Sequence, residues 1–229
     1  MNSRNIFITG GTGYIGSRLI PLLLQRNHHV CALVRKGSET KLSPGCTAVI
    51  GNALDKTTFN DRIQPADTFV QLIGVSHPSP AKAEEFRAVD LVSLRASAAA
   101  AAEARIQHFI YLSVAQPARM MKDYIAVRAE GEALLRASGL NATFVRPWYV
   151  LGPGHRWPYL LLPVYWLMER LPSTRESARR LGLVTIDQML ATLVDAVENP
   201  AAGVRIVEVP QIRTADLKKL KPVVDKIAP

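Results

Sequence analysis

The chain has 229 residues, 48% of them hydrophobic and 21% charged, with 28 Lys and Arg against 19 Asp and Glu for a formal net charge of +9. That composition supports a full core and excludes a disordered or fibrous chain, and no window reaches the ~20 consecutive apolar residues that a membrane span requires. The basic residues are scattered and no nucleic-acid motif accompanies them, so the charge suits phosphorylated cofactors and substrates, and no nucleic-acid partner is expected.

Cys31 and Cys46 have neither the number nor the spacing of a metal site or a disulfide framework, and they read as inert thiols. An apolar strand begins directly after Met1-Asn2-Ser3-Arg4, with no leader segment before it, so a cytoplasmic location is expected.

The run Ile6-Phe7-Ile8 leads into Thr9-Gly10-Gly11-Thr12-Gly13-Tyr14-Ile15-Gly16 and then into Ser17-Arg18-Leu19-Ile20. This reads as strand, glycine turn, helix. Such a turn points the unpaired N–H groups of the helix at a space that a pyrophosphate can fill, which makes Gly10, Thr12, Gly13, Tyr14, Ile15 and Gly16 candidate dinucleotide contacts. A second apolar strand, His28 to Arg35, should reach the adenosine ribose at its carboxyl end. An acidic residue there accepts from a ribose 2′-OH and repels a 2′-phosphate. Here Val34 is followed by Arg35, Lys36 and Ser38, which favours NADP(H) over NAD(H), a solvated basic turn being the plainer alternative.

Val49-Ile50 forms a third strand, with Asn52 and Ala53 at the cofactor edge. Asn52 has the donors and acceptor to meet adenine, or serves as an ordinary turn residue. Phe59 to Ile63 reads as a short helix. A fourth strand, Thr68 to Ile73, ends at Gly74, where a missing side chain lets the backbone approach the nicotinamide half. His77 follows in a Pro- and Ser-rich loop and is a candidate substrate contact. Residues 83–105 are Ala-rich and strongly helix-forming, with Asp90 read as structural.

His108 to Ser113 is a fifth strand that delivers a hydroxyl to the carboxyl edge of the sheet. After a polar loop, Tyr124-Ile125-Ala126-Val127-Arg128 opens a helix on which Tyr124 and Arg128 share a face. A phenol there can exchange a proton with a carbonyl or alcohol, the Ser113 hydroxyl can fix the reacting oxygen, and the cation can hold a phenolate and ribose hydroxyls. Ser113, Tyr124 and Arg128 are the candidate catalytic group. A sixth strand, Ala142 to Arg146, ends at Pro147.

With the glycine stretch, Ser113, the Tyr124 to Arg128 pair and Arg146-Pro147-Trp148-Tyr149-Val150-Leu151-Gly152-Pro153-Gly154 in view, the chain resembles the short-chain dehydrogenase/reductase superfamily over most of its length. The branch it resembles is the extended or atypical one, with nucleotide-sugar epimerases and NmrA-like proteins. The resemblance implies an α/β fold: a Rossmann-type doubly wound parallel sheet in one domain, 1–229, with residues 152–229 forming a small C-terminal substrate-binding elaboration. It implies cofactor contacts at Arg128 and Pro147 as well as in the glycine loop.

It also implies an NADP(H)-dependent oxidoreductase acting on a small apolar carbonyl or alcohol. A cofactor-occupied regulatory or assembly protein and a sugar-nucleotide epimerase are the alternatives. The chain departs from the family at one place. Its Tyr-x-x-x-Lys pair is here Tyr124-x-x-x-Arg128, which keeps the charge and changes the shape, and Glu132 one turn on is placed to pair with Arg128.

Residues 157–168 are unusually aromatic and apolar and too short to span a bilayer. They read as the wall of a pocket for an apolar substrate, a homodimer face, or a membrane-surface contact. Asp187 is expected to cap the helix from Gln188 to Glu198, a late strand follows from Gly203 to Val209, and the tail from Lys218 reads as a surface helix.

Overall fold

A computed structural model describes residues 3–76, 78–154 and 162–220. His77 and the stretch 155–161 lie outside the described residues, as does the tail from 221.

Strand β1 (Asn5–Thr9) runs into helix α1 (Gly16–Gln25), then β2 (His29–Val34), β3 (Thr47–Ile50) and β4 (Thr68–Gln71). One long rod follows, in which α2 (Ala83–Glu85) passes through a π-helical turn at Phe86–Leu91 into α3 (Val92–Glu103). Next come β5 (His108–Leu112), α4 (Lys122–Ala137), β6 (Ala142–Arg146) and β7 (Tyr149–Leu151). The chain ends with α5 (Leu162–Arg170), α6 (Arg175–Arg180), β8 (Leu183–Thr185), α7 (Ile186–Glu198), β9 (Val204–Glu208) and α8 (Val209–Thr214).

The main sheet has seven strands in the order β3-β2-β1-β4-β5-β6-β9, every pair parallel. The doubly wound Rossmann-type sheet is thus present. Strand order reverses between β1 and β4, and a crevice opens outside the carboxyl ends at that point. Residues after 152 do more than form an appendage, since α7 covers one face of this sheet and β9 is its last strand. The small parallel pair β7 and β8 stands beside it.

The alternation of side chains along each strand builds two cores. Ile6, Ile8, Val70 and Ile110 face α1 and α7, while Phe7, Phe69, Phe109 and Phe144 face α3 and α4. Register stacks the aromatic set: Phe69 pairs with Phe109, and their rings lie 5.0 Å apart and nearly parallel. The alanine run of α3 allows close approach, with Ala98, Ala100 and Ala101 buried on this face. Burial raises the thiols of both free cysteines, Cys46 to about 11.

Three local details differ from the expectations drawn from the sequence. Phe59 to Ile63 forms only a 3₁₀ turn at Asn60–Arg62. Asp187 does not cap α7: Thr185 does, in a reciprocal pair in which its hydroxyl accepts from the Gln188 N–H and Gln188 accepts from the Thr185 N–H. The rod at 83–103 is not uniformly α-helical, since the π turn at Phe86–Leu91 interrupts it.

The face of the sheet opposite the aromatic core carries a buried titratable group on β5. His108 is fully buried, with Nε2 2.9 Å from Thr143 Oγ1, which itself accepts from Arg205 Nε at 3.2 Å. Burial first, then Arg205 and Arg4, push its pKa down to about 4. In the unfolded chain it titrates near 6.5, so between ~6.5 and ~4 the unfolded state binds more protons and stability falls as pH falls, by up to ~3 kcal/mol. Urea unfolding from pH 7 to 4 should show that loss, and His108→Gln, which keeps a polar partner for Thr143 and cannot charge, should show a shallower one. Equal slopes for the two proteins would remove His108 from the account.

Candidate cofactor and active site

Helix α1 rests directly on the glycine turn. A Cβ on Gly16 would stand 2.4 Å from Gly10 O and 2.7 Å from Gly11 Cα, so no other residue lets the helix start there. Gly10 has φ +77°, and a Cβ on it would meet the Leu72 carbonyl carbon at 2.9 Å. The Gly13 N–H donates to Gly10 O at 3.0 Å and closes the turn. Ile15, at the N-cap, gives the helix no side-chain acceptor, and Thr12 and Gly13 are exposed. Amide donors and the positive end of the helix dipole are thus offered at a glycine-rich turn, which fits a dinucleotide pyrophosphate. Arg18 adds a cation, with its guanidinium 4.2 Å over the Tyr14 ring and Nη1 donating to Tyr14 O at 2.7 Å. The Tyr14 hydroxyl lies against Gly152, where a Cβ would come within 2.3 Å of it.

At the neighbouring strand ends, Val34 and Ile50 are in register and buried Val34 gives way to exposed Arg35 and Lys36. The Ser38 N–H closes that turn on Arg35 O at 3.0 Å. Asn52 uses its side-chain oxygen on the Leu54 N–H at 3.1 Å, an Asx turn that leaves its amide donors exposed beside half-buried Ala53.

Beyond the cradle the floor of the crevice is a buried ion pair. Arg128 Nη2 donates to Asp90 Oδ2 at 3.1 Å and Nη1 to Leu112 O at 2.8 Å, with the side chains 3% and 0% exposed. The other Asp90 oxygen accepts from the Val75 N–H at 2.7 Å. Glu132 does not pair with Arg128. It faces the adjacent strand ends, where Arg146 Nε donates to it at 2.8 Å, and a carboxylate from the π turn takes the place beside Arg128. Gly74 makes room for this pair, because a Cβ there would lie 2.3 Å from Arg128 Nη2. Burial opposes charge on Arg128, but the phenols of Tyr124 and Tyr111 and the Asp90 carboxylate hold its pKa above the usual arginine value. Burial pushes the Asp90 carboxyl up, with Arg128 and the Val75 N–H pulling against it.

Tyr124 is half-buried on the rim. Its ring lies 5.2 Å from the Arg128 guanidinium carbon and 5.0 Å from the Phe86 ring. Ser113 is buried and donates its hydroxyl proton to Glu132 Oε1 at 2.7 Å. Glu132 also accepts from Gln116 Nε2 at 3.2 Å and from Arg146 Nη2 at 2.5 Å. Pro147 is buried, and its carbonyl accepts from the Ala115 N–H at 2.9 Å. A single strand end joins cradle and phenol: Ile73 N lies 3.1 Å from a Cβ placed on Gly10, and Ile73 O lies 3.5 Å from Arg128. The structure therefore brings together Gly10, Gly74, Arg128 and Tyr124, and turns Ser113 toward Glu132. Sequence reasoning read Asp90 as structural and expected Glu132 beside Arg128, so it missed the Asp90 to Arg128 pair and the Glu132 to Ser113 bond, although an acid inside the apolar face of a helix was a visible signal for Asp90.

The profile of a protein family described as NAD(P)H-binding matches residues 10–156. The chain belongs to that family. It is 26% identical over 210 residues to the ceramide reductase of Caulobacter vibrioides, covering 91% of this chain and 65% of that protein. It is also 26% identical over 168 residues to a 4-hydroxy-2-methyl-3-oxo-4-farnesyl-3,4-dihydroquinoline-1-oxide ketoreductase of Stigmatella aurantiaca, covering 64% and 50%. The chain thus spans from half to just under two thirds of the length of these relatives.

Among solved structures, the Bordetella bronchiseptica enzyme WbmH in complex with NAD+ superposes with a TM-score of 0.67 at 24% identity, covering 90% of this chain and 76% of that one. The Thermus thermophilus UDP-glucose 4-epimerase complex with NAD gives 0.65 at 15% identity, covering 91% and 81%. These likenesses establish the fold of the NAD-binding epimerase and extended short-chain dehydrogenase/reductase group.

The ion pair makes a stability prediction. Asp90→Asn leaves a buried guanidinium without its counter-charge and should cost ~3–5 kcal/mol in urea unfolding, whereas Asp90→Asn/Arg128→Met, which removes both charges, should recover part of that loss. A double variant less stable than Asp90→Asn would show that the pair is not the source of the cost.

Proposed function

We propose that the chain binds NADP(H) and reduces the carbonyl of an apolar substrate, or oxidises the matching alcohol. The observation that carries this reading is the contiguity of the glycine cradle, the Ile73 to Gly74 strand end and Tyr124 over Arg128. When bound, the cofactor supplies the hydride. The chain supplies the proton, which the Tyr124 hydroxyl gives to the carbonyl oxygen, and the Arg128 guanidinium lies beneath the Tyr124 ring.

Arg128 acts here as a positioning residue, since both of its terminal nitrogens are held by protein oxygens. Ser113 meets the reacting oxygen when its proton swings away from Glu132, which keeps Arg146 and Gln116 as partners. Exposed Arg35 and Lys36 at the end of β2 support the 2′-phosphate preference. The two reductase relatives, whose names specify a ceramide and a farnesyl-bearing quinoline oxide, support an apolar substrate.

One observation favours a second reading, in which the chain holds the cofactor without turnover as a regulatory or assembly protein. The Ser113 proton and both Arg128 terminal nitrogens are already committed inside the protein.

Fluorescence titrations with NADPH and NADH, beside NADPH oxidation against a panel of long-chain and aromatic ketones, separate the two. Arg35→Ala should weaken NADPH by about tenfold and leave NADH unchanged. Tyr124→Phe should cut turnover by ~10²–10⁴ without moving NADPH affinity. Tight NADPH binding with no turnover on the panel supports the regulatory reading, and tighter NADH binding with no effect of Arg35→Ala sinks the NADP preference.

A further inference from the structure

Helix α5 presents its apolar residues to solvent. Val164, Trp166, Leu167 and Leu171, just past its end, are 52%, 57%, 54% and 46% exposed. The helix is not free to roll these residues inward, because its other side is fixed. Glu169 pairs with Arg213 Nη1 at 2.6 Å, and Arg175 Nε holds Glu169 O at 3.0 Å. Tyr165 is half-buried and bonds to Trp148, where burial and the neighbouring Tyr149 push its phenol up.

The cations stand beside the exposed apolar set. Arg170 lies 3.5 Å over the Trp166 ring, and Arg170, Arg175 and Arg179 are exposed and enter no ion pair among the described residues. The three carboxylates of this region have other partners, Glu169 in Arg213, Glu176 in Arg180 and Glu208 in Arg146. An apolar ridge rimmed by uncompensated arginines fits the headgroup and acyl boundary of a membrane, where the arginines meet lipid phosphates and the ridge leaves water. A second copy of the chain would bring one arginine rim against another on molecules each of net charge +9.

We propose that α5 is an interfacial helix that docks the protein on an anionic bilayer surface through Val164, Trp166, Leu167 and Leu171, with Arg170, Arg175 and Arg179 on the lipid phosphates. No helix among the described residues is long and apolar enough to cross a membrane, so the contact is peripheral. Tyr165 packs on Trp148 and Tyr149, which directly follow Pro147 at the carboxyl end of β6, so docking brings the carboxyl edge of the sheet toward the lipid. The contact stands whether or not the protein turns over a substrate.

Co-sedimentation of the full chain with vesicles tests it, using phosphatidylcholine alone and an equal mixture of phosphatidylcholine and phosphatidylglycerol. Binding is expected to the mixed vesicles, weakened by salt, with tryptophan emission shifted to the blue. Trp166→Ser/Leu167→Ser should lower the partitioning by about tenfold or more, and Arg170→Gln/Arg179→Gln, which spares the Arg175 bond to Glu169 O, should lower it on mixed vesicles, both with NADPH affinity and melting temperature unchanged. Three outcomes overturn the proposal. These are no binding to mixed vesicles, binding that the Trp166 and Leu167 substitutions leave intact, and a concentration-dependent dimer that those substitutions dissolve.

Discussion

A guanidinium and a carboxylate buried together at the carboxyl edge of the sheet are tolerable only if nearly every remaining donor and acceptor is used, because each ion has lost its water. Arg128 and Asp90 approach that condition by recruiting backbone from two strand ends, Leu112 O after β5 and the Val75 N–H after β4, with Ile73 O beside them, while Arg128 Nε finds no hydrogen-bond partner among the described residues. The pair therefore fixes the course of the chain where a doubly wound sheet places its ligand. Loops at that edge tend to be the most mobile parts of such a fold. Here the electrostatics of the floor hold them, and the geometry of the Tyr124 rim follows from where that floor lies.

The π turn at Phe86–Leu91 belongs to the same solution. A widened turn adds a residue to the helical path and rotates the α3 segment beyond it, so Asp90 points at Arg128 while Phe86 and Leu91 stay in the apolar cluster beneath Tyr124. A regular helix through this segment would shift that register by a residue. On the far side of the crevice the constraint is purely steric: Gly10 and Gly16 are glycines because backbone occupies the space of their Cβ atoms. One wall is thus built by removing side chains and the floor by pairing charges, and strand β4 with its following residues joins the two.

The wall was legible in the sequence because its cause is local. Four glycines, a preceding apolar run and a following helix lie within a few residues, and the strands are marked by short apolar runs. The floor was not legible in the same way. Arg128 at the position of the family's lysine was visible, and so was Glu132 one turn on, but the partner that wins is separated from Arg128 by 38 residues and reaches it only through tertiary packing. Glu132 lost the competition because Arg146, on β6 behind α4, binds it with two nitrogens, a contact that helix periodicity does not disclose. The cap of α7 fell to Thr185 rather than Asp187 because Gln188 completes a reciprocal pair with Thr185, a spacing present in the sequence.

Replacing lysine by arginine at position 128 is, in this fold, a change of several residues at once. A lysine offers three rotatable donors at a point, whereas the guanidinium spreads its donors over a plane and needs acceptors at fixed separations. Leu112 O and Asp90 supply acceptors for both terminal nitrogens, and the planar group fits only because residue 74 lacks a Cβ. Gly74, Asp90 and Arg128 are therefore one unit. An arginine placed at this position in a chain without the glycine would collide with the β4 loop, and one without the aspartate would bury a bare charge. The cost of keeping the charge in a bulkier shape is met in the floor itself, beneath the half-buried Tyr124 ring.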